Sequence, residues 1–391
     1  MELRGIERAE IEGKTVLVRV DYNVPMSDGR VADLTRLRAS LPTLQYLLDR
    51  GAKIVLLTHL GRPEGHVVEE LRLRPVASAL SELLDRPVTK LDDCIGPAVS
   101  EAIAQGEPGD IYLLENVRFH REETTNESSF ARALSTLGDL YVNDAFATVH
   151  RAHASTVGVP DHLPAYAGYL MEREIQALSH LESPDRPYLA IVGGKKARSK
   201  LGALRDLVPR VDEILIGGGV AFTFLRALGG EVGDSIVDEE LLDEVREIHV
   251  AAAREKTMIH LPEDVIISTE VSPDGETHTC DARAIPAGWQ GLDIGPKTVQ
   301  RFSERIRAAK TVVWTGPLGA FEIEPFSGGT RAVGEAVAAS DAFSVIGGGE
   351  TGEAVAKLGL AGGVSYISTG GGACLALLRG KHLPALEALQ A

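Results

Sequence analysis

The stretch Phe343-Ser344-Val345-Ile346-Gly347-Gly348-Gly349-Glu350-Thr351-Gly352 decides how the chain is read. An apolar run enters a glycine turn, and the segment after it is helix-like. A buried strand entering such a turn makes an anion cradle, because free backbone N–H groups and the positive end of a helix dipole point at whatever sits above. The expected occupant is a phosphate.

The same run matches the dinucleotide fingerprint G-x-G-x-x-G, which alone is weak. In a nicotinamide-binding domain that fingerprint opens the first βαβ unit, and an acidic residue about 20 positions on holds the ribose. Here the run lies near the C-terminal end, the next strand, Val364 to Ile367, ends in Ser368-Thr369-Gly370-Gly371-Gly372, and no carboxylate follows Glu353 until Glu387. A mononucleotide phosphate fits better than a nicotinamide cofactor.

Working outward, strands are expected at Tyr188 to Val192, Glu213 to Ile216, Asp264 to Ile267 and Thr311 to Trp314, with glycine turns at Gly193-Gly194 and Gly217 to Gly219. One glycine triplet signals only a tight turn, whereas several at one end of one sheet favour a nucleotide site. After Gly193-Gly194 comes Lys195-Lys196-Ala197-Arg198-Ser199-Lys200. If a helix starts near Lys196, then Lys196 and Lys200 share a face and favour an anion between them; otherwise they are solvated surface lysines. There is no G-x-x-x-x-G-K-[ST] and no protein-kinase H-R-D or D-F-G set. The segment from Leu261 to Gly288 reads as an excursion without chemistry.

The N-terminal half has the same alternation but different loops. Strands are expected at Thr15 to Val20, Lys53 to Leu57, Ile111 to Leu114 and Leu140 to Val142, with helices at Leu34 to Leu48, Arg74 to Leu84 and Ser128 to Leu137. Nearly continuous apolar runs suit strands buried on both faces of a parallel sheet, so the pattern is α/β and doubly wound. The strand-end loops carry Arg19-Val20-Asp21-Tyr22-Asn23-Val24-Pro25, His59-Leu60-Gly61-Arg62-Pro63, Glu115-Asn116-Val117-Arg118-Phe119-His120 and Asn143 through His153, which includes Arg151. Any one arginine is readily a solvated charge. Four such loops at one sheet edge, with Arg36 at the start of the following helix, indicate a small polyanion, since guanidinium forks match phosphate and carboxylate oxygens. Arg19 precedes its strand end and is read as structural, paired with a local carboxylate. His150-x-x-His153 is not read as a metal pair, because no third soft ligand is near in sequence.

Composition narrows the class. A formal charge of −16 over 391 residues argues against nucleic acid or an anionic membrane as partner. Cys94, Cys280 and Cys374 form no C-x-x-C, so neither a disulfide framework nor a zinc site is expected. No signal peptide and no run long enough to span a membrane is found, which places the chain in the cytoplasm, as an expected monomer. Pro160 and Pro164 precede a long helix expected from Tyr166 to Leu181, closed by Ser183-Pro184-Asp185-Arg186-Pro187. The expected organisation is therefore two Rossmann-like parallel-sheet domains, residues 1–165 and 183–380, joined by a hinge helix, 166–182, with a tail, 381–391, whose docking side is open.

A polyanion site on one domain and a nucleotide site on the other imply phosphoryl transfer between a nucleotide and a small anionic metabolite, with closure to exclude water. Asp21 lies among cations that lower its basicity, so no strong general base is evident. An acceptor that is already ionised, such as a carboxylate, needs none.

Taken together, these motifs resemble phosphoglycerate kinase over essentially the whole chain. The N-terminal ones are Arg19 to Pro25, Thr35-Arg36-Leu37, His59 to Pro63, Glu115 to Phe119 and His150 to His153. Those of the second half are Gly193 to Lys196, Gly217 to Phe222, Trp314 to Pro317, Phe321-Glu322 and the opening glycine run. The short C-terminal half and Asp293 to Thr298 look more like archaeal members. The resemblance implies reversible, magnesium-dependent transfer between ATP/ADP and 3-phosphoglycerate/1,3-bisphosphoglycerate. It implies that Asp21, Asn23, Arg36, His59, Arg62, Arg118 and Arg151 hold the phosphoglycerate. Lys196, Lys200, Glu322, Gly348, Gly349, Glu350 and Thr351 would serve the nucleotide, with Arg36 and Lys200 stabilising the transferring group and Glu350 meeting Mg2+.

This sequence departs from the family pattern at Glu350 for a usual Asp, Lys195 for Ala, Ser199 for Asp, Thr315 for Asn and Ala147 for Gly. A magnesium ligand at Glu350 would be one methylene longer, and Thr315 is expected to bear on base or ribose contacts. A nucleotide-binding regulator without catalysis is the alternative, weakened by the presence of Arg36 and Lys200.

Overall fold

The computed structural model of the chain describes residues 3–378 and 382–390, so Lys381 and Ala391 of the expected tail lie outside the described residues. The chain divides into two compact units, Met1–Gln176 with His382–Ala391, and Ala177–Lys381. The division falls inside the helix Tyr169–Ser179.

The first unit is built on a six-stranded sheet: β1 (Thr15–Val20), β2 (Lys53–Leu57), β3 (Thr89–Lys90), β4 (Ile111–Leu113), β5 (Leu140–Asp144) and β6 (Ala165–Ala167), in the order β3-β4-β2-β1-β5-β6. Every pairing in it is parallel. The apolar strands are buried along their length, and Val16, Val18, Ile54, Leu56 and Val142 pack with Leu44 and Leu47 of the helix Thr35–Leu48 into one core. Chain order reverses at β1, with β2 on one side and β5 on the other. That topological switch point is where open α/β sheets bind ligands.

The second unit repeats the scheme with β7 (Tyr188–Val192), β8 (Glu213–Ile216) and β9 (Met258–His260) on one side. Next in the chain come β10 (Asp264–Ser268), β11 (Thr277–Asp281) and β12 (Gln290–Ile294), and then β13 (Thr311–Thr315), β14 (Phe343–Gly347) and β15 (Tyr366–Ser368). The parallel sheet has the order β9-β8-β7-β13-β14-β15, so its switch point lies between β7 and β13. Trp314, Ile346, Phe302 and Val337 lie in its core.

The structure corrects several expectations. Asp264 to Ile267 is not a strand of the parallel sheet; β10 is the centre of a separate three-stranded antiparallel sheet, in the order β11-β10-β12. The sixth parallel strand is β9, which was not among the expected strands. The segment from Leu261 to Gly288 is thus ordered, with Phe222, Val265, Ile267 and Ile285 in a core of its own. Tyr166 belongs to β6, and the long helix starts at Tyr169, where Asp144 Oδ1 accepts the N–H groups of Leu170 at 2.9 Å and Met171 at 3.3 Å. No α-helix begins near Lys196, which has extended backbone (φ −124°, ψ 132°) and precedes the short 3-10 helix Ala197–Ser199; the α-helix there is Leu201–Leu207, so Lys196 and Lys200 do not share a helical face. The tail joins the first unit: Ala385 N–H donates to Val149 O at 3.2 Å, Arg4 N–H donates to Leu389 O at 2.9 Å, and Leu383, Leu386 and Leu389 are buried.

Candidate functional site

The first edge starts at the carboxyl end of β1. Thr35 donates from N and Oγ1 to Asp33 Oδ1, at 2.8 and 2.6 Å, which fixes the first turn of the helix that carries Arg36. Arg36 Nη1 then donates to Asp21 Oδ2. Asn23 accepts the Gly61 N–H at 2.8 Å, and Gly61 O accepts from Arg118 Nη1 at 2.8 Å, so three strand-end loops are tied into one surface. Arg62, Arg118 and Arg151 line a concavity of about 540 Å³, together with Arg121 and His153.

The charges here are held against their own repulsion. Burial, with Arg19, Arg118, Arg151 and Arg36 around it, pushes the His59 imidazole well below its usual pKa, so it is neutral. Burial and the neighbouring Arg151 and Arg19 also lower Arg118, whose Nε is buried without a hydrogen-bond partner. An orphaned guanidinium N–H among like charges is an anion site in energetic terms, since an anion satisfies the donor and relieves the repulsion.

Beneath this surface lies a buried support joined across long sequence separations. Arg19 is fully buried; its Nε donates to Ser155 Oγ at 2.8 Å and its Nη2 lies 3.2 Å from His59 Nδ1. Ser155 in turn donates from N and Oγ to the buried Glu123, at 2.9 and 2.7 Å. The expected local carboxylate is therefore Glu123, reached through Ser155 rather than by a direct pair. Because a guanidinium only donates, His59 Nδ1 accepts from Arg19 and the ring proton sits on Nε2.

The second edge is made mostly of main chain. Gly348 (φ 105°) caps the helix Gly349–Lys357, in a conformation only glycine adopts freely. A methyl group on Gly371 would touch Gly348 Cα at 3.5 Å and Gly349 N at 3.8 Å, so the turns after β14 and β15 lie against each other. At the switch point itself, Lys200 Nζ donates to Thr315 Oγ1 at 3.0 Å. Burial lowers the Lys200 pKa, and the charge of Glu350 opposes that shift. Thr351 Oγ1 accepts the Gly316 N–H at 2.6 Å, which locks the β13 turn to the β14 helix.

The structure thus brings Asp21, Asn23, Arg36, His59, Arg118 and Arg151 to one edge, with Arg62 exposed at its rim. At the other it gathers Lys200, Gly348, Gly349, Glu350 and Thr351. Lys196 and Glu322 are exposed, and Glu322 acts electrostatically on Lys357 of the Gly349 helix. Thr315 meets Lys200. Arg121 and Glu123 were missed, although both follow directly on the Arg118 loop. An exposed carboxylate in the first turn of its helix fits a hard cation carried by nucleotide phosphates, so Glu350 suits magnesium by donor type.

Fold and edges together fit a two-unit α/β phosphotransferase, with an arginine- and histidine-rich edge on one unit and a glycine-rich edge on the other. The family model for phosphoglycerate kinase matches residues 6–381. The phosphoglycerate kinase of Moorella thermoacetica is 50% identical over 381 residues, covering 97% of each chain. That of Pelotomaculum thermopropionicum is 48% identical over 390 residues, covering 100% of this chain and 99% of its own. Among solved structures, phosphoglycerate kinase from Coxiella burnetii superposes with a TM-score of 0.87 at 40% identity, covering 99% of both chains. The Pyrococcus horikoshii enzyme gives 0.89 at 36%, covering 99% of this chain and 98% of its own, so these two structures give the archaeal likeness no clear preference. The chain belongs to the phosphoglycerate kinase family. It catalyses reversible phosphoryl transfer between 1,3-bisphosphoglycerate and ADP, giving 3-phosphoglycerate and ATP, with Mg2+ as cofactor. No helix among the described residues is long and apolar enough to cross a membrane.

Proposed function

We propose that the reaction is divided between the two edges residue by residue. Arg36, His59, Asn23, Arg62, Arg118 and Arg151 bind the phosphoglycerate, and Asp21 orients Arg36. His59 donates from Nε2. Lys200, held by Thr315, meets the transferring phosphoryl group from the nucleotide side, and Arg36 meets it from the acceptor side. The N–H groups of Gly348 and Gly349 cradle nucleotide phosphate, Thr351 fixes that cradle, Lys196 lies at its rim and Glu322 holds ribose hydroxyls. Glu350 is the protein ligand for the magnesium that accompanies the nucleotide. When bound, that ion offsets phosphate charge.

The observation that carries this reading is that neither the carboxylate nor the imidazole among the expected phosphoglycerate ligands is free to take a proton. Its one carboxylate among the expected ligands, Asp21, is engaged by Arg36, and its His59 is kept neutral with Nδ1 occupied. A carboxylate acceptor needs no proton removed, so cation placement suffices. Substrate-driven closure of residues 1–165 on 183–380, bending around 166–182, completes the arrangement. The chain acts as a monomer in the cytoplasm, a reading supported by Cys94, Cys280 and Cys374 forming no disulfide, which suits a reducing compartment.

A coupled assay with 3-phosphoglycerate and magnesium ATP tests the assignment. Turnover in the wild type and its loss in Lys200→Ala are expected. Nucleotide binding without turnover in the wild type would favour a regulator, and full turnover in Lys200→Ala would refute the role of Lys200.

A further inference from the structure

The loop after β3 and the turn after β4 meet at Asp93, Cys94 and His120, and no step above uses this meeting. One ligand atom from each, a carboxylate oxygen, the thiol sulfur and a ring nitrogen, lie within 4.8 Å of one another. We infer that these three residues form a binding site for a divalent cation of the zinc class, on the first unit beside the turn that carries Arg118.

The parts are held as a coordination site requires. Asp93 Oδ1 accepts from the Cys94 N–H at 2.7 Å and lies 2.7 Å from His120 Nε2. The His120 ring stacks on Phe130, with centroids 5.1 Å apart and planes 28° from parallel. The two segments are pinned by the main chain, where Glu115 N–H donates to Asp93 O at 3.2 Å. Cys94 is fully buried, whereas the Asp93 side chain is 54% exposed and that of His120 27%. A thiol thus forms the floor and an exposed carboxylate the entrance. A buried cysteine ordinarily packs as a small hydrophobe. This sulfur faces a carboxylate and an imidazole nitrogen instead.

The donor set selects the metal. Sulfur, imidazole and carboxylate suit zinc, while magnesium and calcium take all-oxygen shells. Zinc bonds of about 2.0–2.3 Å place tetrahedral ligands about 3.5 Å apart, so rotation of Asp93 and His120 closes the wider pairs. Binding forms one bond each to sulfur, nitrogen and oxygen. The thiol proton leaves to solvent, and the imidazole proton moves from Nε2 to Nδ1. No electrons are transferred. The fourth position takes water.

Cobalt is the probe, added to the full chain without nucleotide. A thiolate-to-cobalt charge-transfer band is expected, saturating at one cobalt per chain and abolished by added zinc. Cys94→Ser should remove the band, and Cys280→Ser should keep it. Since Cys94 is buried, His120→Gln provides a second arm: with an unchanged circular dichroism spectrum, its cobalt affinity should fall by at least about tenfold. Absence of the band in the wild type, its persistence in Cys94→Ser, or equal affinity in His120→Gln would overturn the site.

Discussion

The two ligand edges sit at equivalent places, the switch points of two parallel sheets, yet they are made of different material. The edge after β1 is a surface of side chains. Arg19, Asp21, His59 and Arg118 are buried, cross-linked and kept in place against electrostatic repulsion. The edge after β7 and β13 is a surface of main chain, with glycines where a methyl group would strike a neighbouring turn and one half-buried lysine. A small polyanion with little apolar surface is recognised by forks and charge, whereas a nucleotide phosphate is recognised by N–H groups in a space left open for it.

That contrast can be broken experimentally. The largest effect is expected where the side-chain edge meets chemistry. Arg36→Ala should lower kcat about 10²–10³-fold, the ~2.7–4 kcal/mol typical of one preorganised donor, in a steady-state assay at saturating substrates. A change confined to KM would make Arg36 a binding residue only. On the main-chain edge, adding atoms should do what removing them does on the other. Gly316 has φ 87° and its Cβ would meet the Gly193 carbonyl. Gly316→Ala should cost about 1–3 kcal/mol in urea denaturation and raise the KM for ATP more than that for phosphoglycerate. Thr315→Val removes one hydrogen bond to Lys200 and should reduce kcat about fivefold, near 1 kcal/mol. An unchanged kcat would show that Lys200 is positioned by something else.

The smallest expected effect concerns acid stability. The folded-state pKa of His59 lies below its unfolded value of about 6.5, so the unfolded chain binds the proton more readily. Stability contributed by the neutral ring is present above about pH 6.5 and is lost as pH falls toward the depressed folded value. Urea midpoints between about pH 7 and about pH 5 should fall less in His59→Gln than in the wild type. Equal slopes would mean that His59 is not held neutral.

The contrast was largely legible in the sequence. Arginine and histidine at successive strand ends, and glycine runs at the others, carry their chemistry in residue type. What escaped depends on pairing across long separations. The two-residue β3 and three-residue β6 and β9 are too short for a hydrophobic period to register. The apolar run at Asp264 reads like a buried parallel strand until its antiparallel partners are seen. Lys196 and Lys200 satisfied a helical spacing, but the chain between them forms a short 3-10 turn, Ala197–Ser199. Glu123, Ser155 and Arg19 are joined through space, as are Cys94 and His120, so cysteine spacing alone gave no sign of the cluster.

In the proposed mechanism, cations on the two edges carry the phosphoryl group without a general base. The direct test is kcat against pH, from about pH 6 to about pH 8, at saturating phosphoglycerate and magnesium ATP. A flat profile is predicted, because the carboxylate acceptor is ionised throughout and His59 does not change charge. A rise with an inflection at about pH 6.5, removed in His59→Gln, would mean that His59 works as a base and that cation placement alone does not suffice.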